Sequence, residues 1–153
     1  MIRGAHHIAI STPNLKRALS FYQDLLGFRQ VSDTSWPEGT QAINAVLDLK
    51  DSAAQQIMLR GDNLCIELFE FVKPLSTPST ELPSVNTPGL THICFDVIDI
   101  ETEYQRLKDA GIHFHVPPQD FGSVKATYGR DPDGNVFELQ EIISPDAPER
   151  LWD

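Results

Sequence analysis

HIAISTPNLKRALSFYQDLLGF, residues 7–28, and HICFDVIDIETEYQRLKDAGIHF, residues 92–114, follow one plan. Each opens on a His and a short apolar strand. Eight positions after the His stands an apolar residue, Leu15 or Ile100, and fifteen positions after it stands Tyr22 or Leu107. A glycine, Gly27 or Gly111, then closes the segment.

Between strand and glycine each copy predicts a helix. Thr12 caps the first, with Pro13 at its first helical position, and Asp99 caps the second. Leu15, Ala18, Leu19, Tyr22 and Leu26 fall on one helical face, as do Ile100, Tyr104 and Leu107. Gly27 and Gly111 supply the C-terminal caps.

Outward from these segments both copies continue as strands. In the first, residues 28–34, 55–60 and 64–72 read as strands, the last two joined through Gly61, Asp62 and Asn63. Residues 42–49 read as a helix, although alternation also fits. In the second, residues 112–116, 124–128 and 136–143 are the strands, the last two joined by a turn at 132–135. Residues 73–89 hold four prolines and no periodicity, the mark of a linker. The expected organisation is one α+β domain of two βαβββ modules, at residues 5–72 and 90–144, with a linker at 73–89 and a tail at 145–153.

The 153-residue chain is the size of one ordinary domain, and 41% hydrophobic with 22% charged residues suits a soluble globular protein. A formal net charge of −10 argues against nucleic acid or an anionic membrane as partner. The first residues lack the apolar core of a secretory signal and no apolar run is long enough to span a bilayer, so a cytoplasmic location is expected. Two cysteines, Cys65 and Cys94, form neither a disulfide framework nor a zinc-finger spacing.

The last strand of each module carries an anomaly. LCIELFEF (64–71) and NVFELQEI (135–142) both place a Glu between apolar neighbours, Glu67 and Glu138. Burying an unpaired carboxylate is expensive. Alternation puts Glu138 on one face with Val136 and Gln140, with Phe137, Leu139 and Glu141 on the other. Two such sheets related by pseudo-symmetry would aim two imidazoles, His7 and His92, and two carboxylates, Glu67 and Glu138, at a common centre. A divalent metal there answers the anomaly, because coordination replaces lost hydration.

Other polar residues read less specifically. His6 alternates away from His7 as a structural residue, and His113 and His115 share one partly exposed face. Cys65 and Cys94 read as small buried hydrophobes near the metal cavity. Glu70 and Glu141, three residues past the proposed ligands, read as solvated charges. Lys125, Tyr128 and Arg130 could bind an anionic substrate group.

The stretches HHIAISTPNLKRALSFYQDLLGF, NLCIELFEF, THICFDV and YGRDPDGNVFEL resemble the vicinal oxygen chelate superfamily, which includes glyoxalase I, methylmalonyl-CoA epimerase, extradiol dioxygenases, fosfomycin-resistance enzymes and bleomycin-binding proteins. The resemblance implies a curved, mostly antiparallel eight-stranded sheet around a metal cavity. Its metal positions fall on His7, Glu67, His92 and Glu138, a set that resembles the glyoxalase I and epimerase branches, where two coordination positions stay open. Extradiol dioxygenases resemble it less, since their iron has one carboxylate and two His. Nickel, cobalt, zinc, manganese or iron would suit the donors. The implied activity is a lyase or isomerase that stabilises an enediolate or enolate of a small chelating substrate, with Glu138 as general base and Glu67 as alternate. The alternatives are an acyl-CoA epimerase, an extradiol dioxygenase and a non-catalytic small-molecule binder. A homodimer is expected by analogy, with the modules paired within one chain or exchanged between two.

Overall fold

The computed structural model describes residues 1–76 and 82–151, in two compact units, Met1–Thr80 and Glu81–Asp153. The division falls within the proline-rich 73–89 stretch, of which residues 77–81 lie outside the described residues.

The first unit runs β1 (His7–Ser11), α1 (Leu15–Leu19), a π-helical turn (Ser20–Leu25), β2 (Arg29–Trp36), α2 (Gln41–Leu47), β3 (Ala53–Arg60) and β4 (Cys65–Lys73). Its sheet has the order β1-β4-β3-β2, with β1 parallel to β4 and the other pairs antiparallel. Ile10, Ile57, Leu59, Ile66 and Leu68 bury one sheet face together with Leu15, Ala18 and Tyr22 of the helical segment. Each large apolar side chain so removed from water contributes about 1.5–3 kcal/mol. Phe21, which the helical period left off this face, is also buried. The wider π turn, marked by Leu26 N–H donating to Phe21 O at 3.0 Å, lets adjacent Phe21 and Tyr22 both turn inward.

The α1 cap departs from expectation. Thr12 N–H donates to Phe69 O at 2.8 Å, so the strand ladder runs on through Thr12. The cap falls instead on Asn14, whose Oδ1 accepts from Arg17 N–H at 3.0 Å, while Thr12 Oγ1 accepts from Asn14 N–H at 3.1 Å. Gly27, at φ 79°, ends the segment as expected.

The second unit runs β5 (Ile93–Asp96), α3 (Ile100–Asp109), β6 (His113–Phe114), β7 (Gln119–Asp120), β8 (Val124–Arg130) and β9 (Val136–Ile142). The order is β5-β9-β8-β6, with β7 also paired to β8; β5 and β9 are parallel. Phe137 and Leu139 fill one face with Ile100 and Leu107 of α3. Asp99 caps α3 as expected, its Oδ1 accepting from Thr102 N–H at 3.3 Å. At the other end Gly111 N–H donates to Lys108 O and Ile112 N–H to Leu107 O, the paired bonds of a Schellman cap.

DPDGN works as a carboxylate-centred turn. Asp131, 5% exposed, accepts on Oδ1 from Asp133 N–H at 2.9 Å and Asn135 N–H at 2.8 Å, and on Oδ2 from Asn135 Nδ2 at 2.8 Å. Gly134 takes φ 90° inside it, a conformation glycine adopts without strain.

Each unit thus carries the βαβββ order. Among the described residues nine strands fall into two hydrogen-bonded sheets of four and five, with β7 the strand beyond the expected eight. No helix among the described residues is long and apolar enough to cross a membrane.

Candidate functional site: a His–Glu pair in each unit

Adjacent parallel strands bring one imidazole to one carboxylate in each unit. Ala9 stands opposite Glu67 in the β1–β4 ladder, and Cys94 stands opposite Glu138 in the β5–β9 ladder. The His lies two residues before that partner in both cases, so it shares the Glu's face and reaches it diagonally. His7 Nε2 is 3.3 Å from Glu67 Oε2, and His92 Nε2 is 3.1 Å from Glu138 Oε2. Among the described residues no group of three or more His, Cys, Asp or Glu side chains is gathered; each unit holds one pair.

Glu138 is the more enclosed carboxylate, with 12% side-chain exposure against 16% for Glu67. Glu67 Oε1 also accepts from Gln56 Nε2 at 2.8 Å, and Gln56 Oε1 accepts from Thr34 Oγ1, so two neighbouring strands steady it. Beside Glu138, directly across the β8–β9 ladder, stands Tyr128, whose ring lies edge-on to His92 at 5.1 Å. Burial, then the Glu138 charge, raises the Tyr128 pKa above 10.0, so its hydroxyl stays protonated at neutral pH. The two cysteines, expected to be buried, are not: both are free thiols, Cys65 half-buried and Cys94 exposed, and desolvation of the Cys94 thiol and then Glu138 push it up to about 12.

Each His is held at its other nitrogen by the residue before it. Thr91 Oγ1 lies 2.8 Å from His92 Nδ1, and His6 Nδ1 lies 2.8 Å from His7 Nδ1. His6 therefore contacts His7 directly, where strand alternation alone would have turned it away.

The candidate substrate residues divide between faces. Tyr128 and Arg130 lie opposite Glu138 and Val136 and share the site face. Arg130 is already engaged, donating from Nη1 to Gly134 O at 2.7 Å and from Nη2 to Pro83 O at 3.0 Å. Lys125 lies opposite Glu141 on the helix-bearing face, with Nζ 2.7 Å from Glu101 Oε1. His113, opposite Arg130, and His115, whose ring stacks on Tyr128 at 6.5 Å, extend the site face. Partial burial, then the Arg130 and His113 charges, lower the His115 pKa below 6.5.

Glu70 and Glu141, expected as solvated charges, both serve helix N-termini. Glu70 Oε2 accepts from Leu15 N–H at 3.0 Å, while Glu141 Oε1 and Oε2 accept from Asp99 N–H and Ile100 N–H at 3.2 Å each. Unpaired N–H groups and the helix dipole favour a carboxylate there. The signal was the repeated ELxE spacing, ELFE at 67–70 and ELQE at 138–141: three residues along a strand put the two carboxylates on opposite faces.

Sequence reasoning also missed an aromatic wall beside Glu67. Trp36 is 9% exposed; its Nε1 donates to Ser52 Oγ at 3.0 Å, and Ser52 is held by Asn44 of α2. Its ring lies edge-on to Phe69 and Phe71 at 6.0 and 6.1 Å, and those two stack at 5.7 Å. Phe69, two residues beyond Glu67, shares its face. The insert around α2 also lines an open surface depression through Gln41, Asn44, Asp48 and Lys50.

The fold agrees with the chain's relatives. Residues 4–139 match the Glyoxalase/Bleomycin resistance protein/Dioxygenase superfamily, and the chain belongs to it. It is 29% identical to "Uncharacterized protein YaeR" of Escherichia coli K12, over 92% of this chain and 97% of that one. It is 28% identical to a lactoylglutathione lyase of Pseudomonas aeruginosa, over 88% of this chain and 80% of that one. It is 30% identical to an ethylmalonyl-CoA/methylmalonyl-CoA epimerase of Cereibacter sphaeroides, over 72% of this chain and 73% of that one.

Proposed function

We propose that the protein is a divalent-metal-dependent lyase or isomerase of the glyoxalase I type, with His7, Glu67, His92 and Glu138 as the ligands of one ion. The observation that carries this reading is the duplication of one His–Glu pair at the same ladder offset in both units, with Nε2 facing Oε2 each time. Two imidazole nitrogens and two carboxylates fit nickel, cobalt, zinc, manganese or iron. The ion, when bound, supplies Lewis acidity to a carbonyl or thioester oxygen of a chelating substrate.

The chain's own residues do the rest. Glu138 accepts the proton from the carbon next to that oxygen and returns it to the neighbouring or the same carbon, with Glu67 as the alternate base. Tyr128, kept protonated beside Glu138, offers a hydrogen bond donor at the same place. Trp36, Phe69 and Phe71 present apolar surface beside Glu67 for the substrate's carbon skeleton. Arg130 and Lys125 are both engaged within the chain, so an anionic carrier group on the substrate would be held by other residues. The likeness to an epimerase supports a second reading, proton transfer beside a thioester.

Elemental analysis of the purified protein, then turnover of native, nickel-loaded and cobalt-loaded forms, tests the proposal. The substrates are the hemithioacetal of methylglyoxal with glutathione, and racemic acyl-CoA esters. Turnover of the first supports the lyase and turnover of the second the epimerase. A protein that binds no divalent ion points instead to a non-catalytic small-molecule binder. Glu138→Gln is expected to lower turnover by about 10²–10⁴-fold. If Glu138→Gln and Glu67→Gln both keep full metal content and full turnover, the carboxylates carry no proton.

A further inference from the structure

In metalloproteins the partner of a ligand imidazole's far nitrogen fixes which ring nitrogen faces the ion. Here that partner is Thr91 Oγ1 for His92 and the His6 ring for His7, each at 2.8 Å from Nδ1. The two units use different chemistry at equivalent positions, a hydroxyl in one and an imidazole in the other. Both groups belong to the few side chains that can either donate or accept at a single atom.

That shared property has a use. With Nε2 facing the Glu carboxylate, a neutral ring carries its proton on Nε2, and Nδ1 accepts a hydrogen bond. An ion taking the Nε2 lone pair requires the proton on Nδ1, which must then donate. A partner fixed as donor, such as a backbone N–H or a Lys, would oppose the second state; a fixed acceptor, such as a carboxylate, would oppose the first. Thr91 can turn its hydroxyl hydrogen away and accept, and His6 can exchange its own tautomer, with no heavy atom moving.

We infer that Thr91 and His6 are positioning residues that let His92 and His7 exchange between a carboxylate-paired and a metal-ligating tautomer without rotating the ring. The inference rests on the metal reading above, and it assigns the exchange to hydrogen-bond reversal rather than to any change in the charge of the ring.

Zinc alone is the probe, because it is diamagnetic and needs no substrate. Its affinity is measured by competition with a chromophoric chelator on wild type, Thr91→Val, Thr91→Ser and His6→Leu. Nitrogen-15 spectra of the histidines report the tautomers. Thr91→Val and His6→Leu are each expected to weaken zinc by about 10–100-fold, the usual cost of losing such a partner. Thr91→Ser is expected to stay within about threefold of wild type. The wild-type spectra should show His92 protonated at Nε2 without zinc and at Nδ1 with it.

A Thr91→Val protein that is less heat-stable yet binds zinc as wild type does, or a Thr91→Ser protein that binds as poorly as Thr91→Val, overturns the inference while leaving the metal reading intact. Because His6 is exposed, its variant keeps the test decisive if Thr91→Val fails to fold. A wild type that binds no zinc, nickel or cobalt overturns the metal reading, and this inference with it.

Discussion

Glu138 sits inside a strand with the His92 ring against it at 3.1 Å and Tyr128 on the other side. The residues that make such a strand possible are small and unforgiving. Gly129 lies under Phe137, and an added Cβ would come within 2.6 Å of Cζ and 2.8 Å of Cε1 of that ring. Phe137 is 2% exposed and has little room to yield. Gly129→Ala should therefore destabilise the protein by about 1–3 kcal/mol, the range for overpacking, which a chemical denaturation curve would register. At Asp131, replacement by Ala leaves the Asp133 and Asn135 N–H groups without their acceptor. Asp133 is half-buried and Asn135 exposed, so Asp131→Ala is expected to cost about 1–3 kcal/mol by the same measurement, two net hydrogen bonds at about 0.5–1.5 kcal/mol each, and a loss near zero would mean that water replaces the carboxylate. Both Glu ligand candidates and both His were legible in the sequence, since a charge between strand apolars is unusual. Gln56 and Thr34 were not, because a polar residue in a strand has no signature until its neighbour across the ladder is known; Thr91, just before β5, was not, because its contact depends on which way the adjacent His92 ring turns.

At the scale of elements, capping separates what pattern can reveal from what it cannot. Asp99 before an apolar helical period was readable, and it caps α3. Thr12-Pro13 carries the same signature but is claimed by the sheet, a competition set by the non-local bond to Phe69. The expected strand at 112–116 shortens to His113–Phe114, ahead of Pro117 and Pro118, which cannot donate to a ladder. β7, two residues long, has no period to detect. The Asp99 cap also predicts a pH dependence. Its hydrogen bonds from the Thr102 side chain and then from the Thr102 backbone lower its pKa below the ordinary 3.8. A depressed carboxylate adds stability that is present above the unfolded-state value and disappears as pH falls through the folded one. Asp99→Asn keeps a capping oxygen and tolerates φ 58°, so it isolates the charge. Its melting temperature should fall below wild type at pH 6 and converge with it below pH ~3.8. A difference unchanged across that range would assign the effect to packing.

For the whole molecule, the repeat was readable because apolar residues, His and Gly recur at one spacing. The order and pairing of strands within each sheet were not, since strand patterns identify strands and leave their partners open. Family membership follows from residues 4–139. If one ion takes its ligands from both units, it binds the folded chain and not the unfolded one. At a hundredfold excess over its dissociation constant it would then add about 2.7 kcal/mol. The expected result is a melting temperature that rises with zinc or nickel, falls back on adding a chelator, and loses its metal response when either His7→Ala or His92→Ala is made. A response that survives one of these changes intact would assign the ion to the other unit alone.

The ELxE spacing limits how such a molecule can diverge. Inserting or deleting one codon between Glu67 and Glu70, or between Glu138 and Glu141, would send later side chains through the sheet to the wrong surface and leave a helix amide terminus without its counter-charge. New specificities are therefore open to these strands by exchanging one amino acid for another, while changes of length are confined to stretches such as the α2 insert and the proline-rich connection.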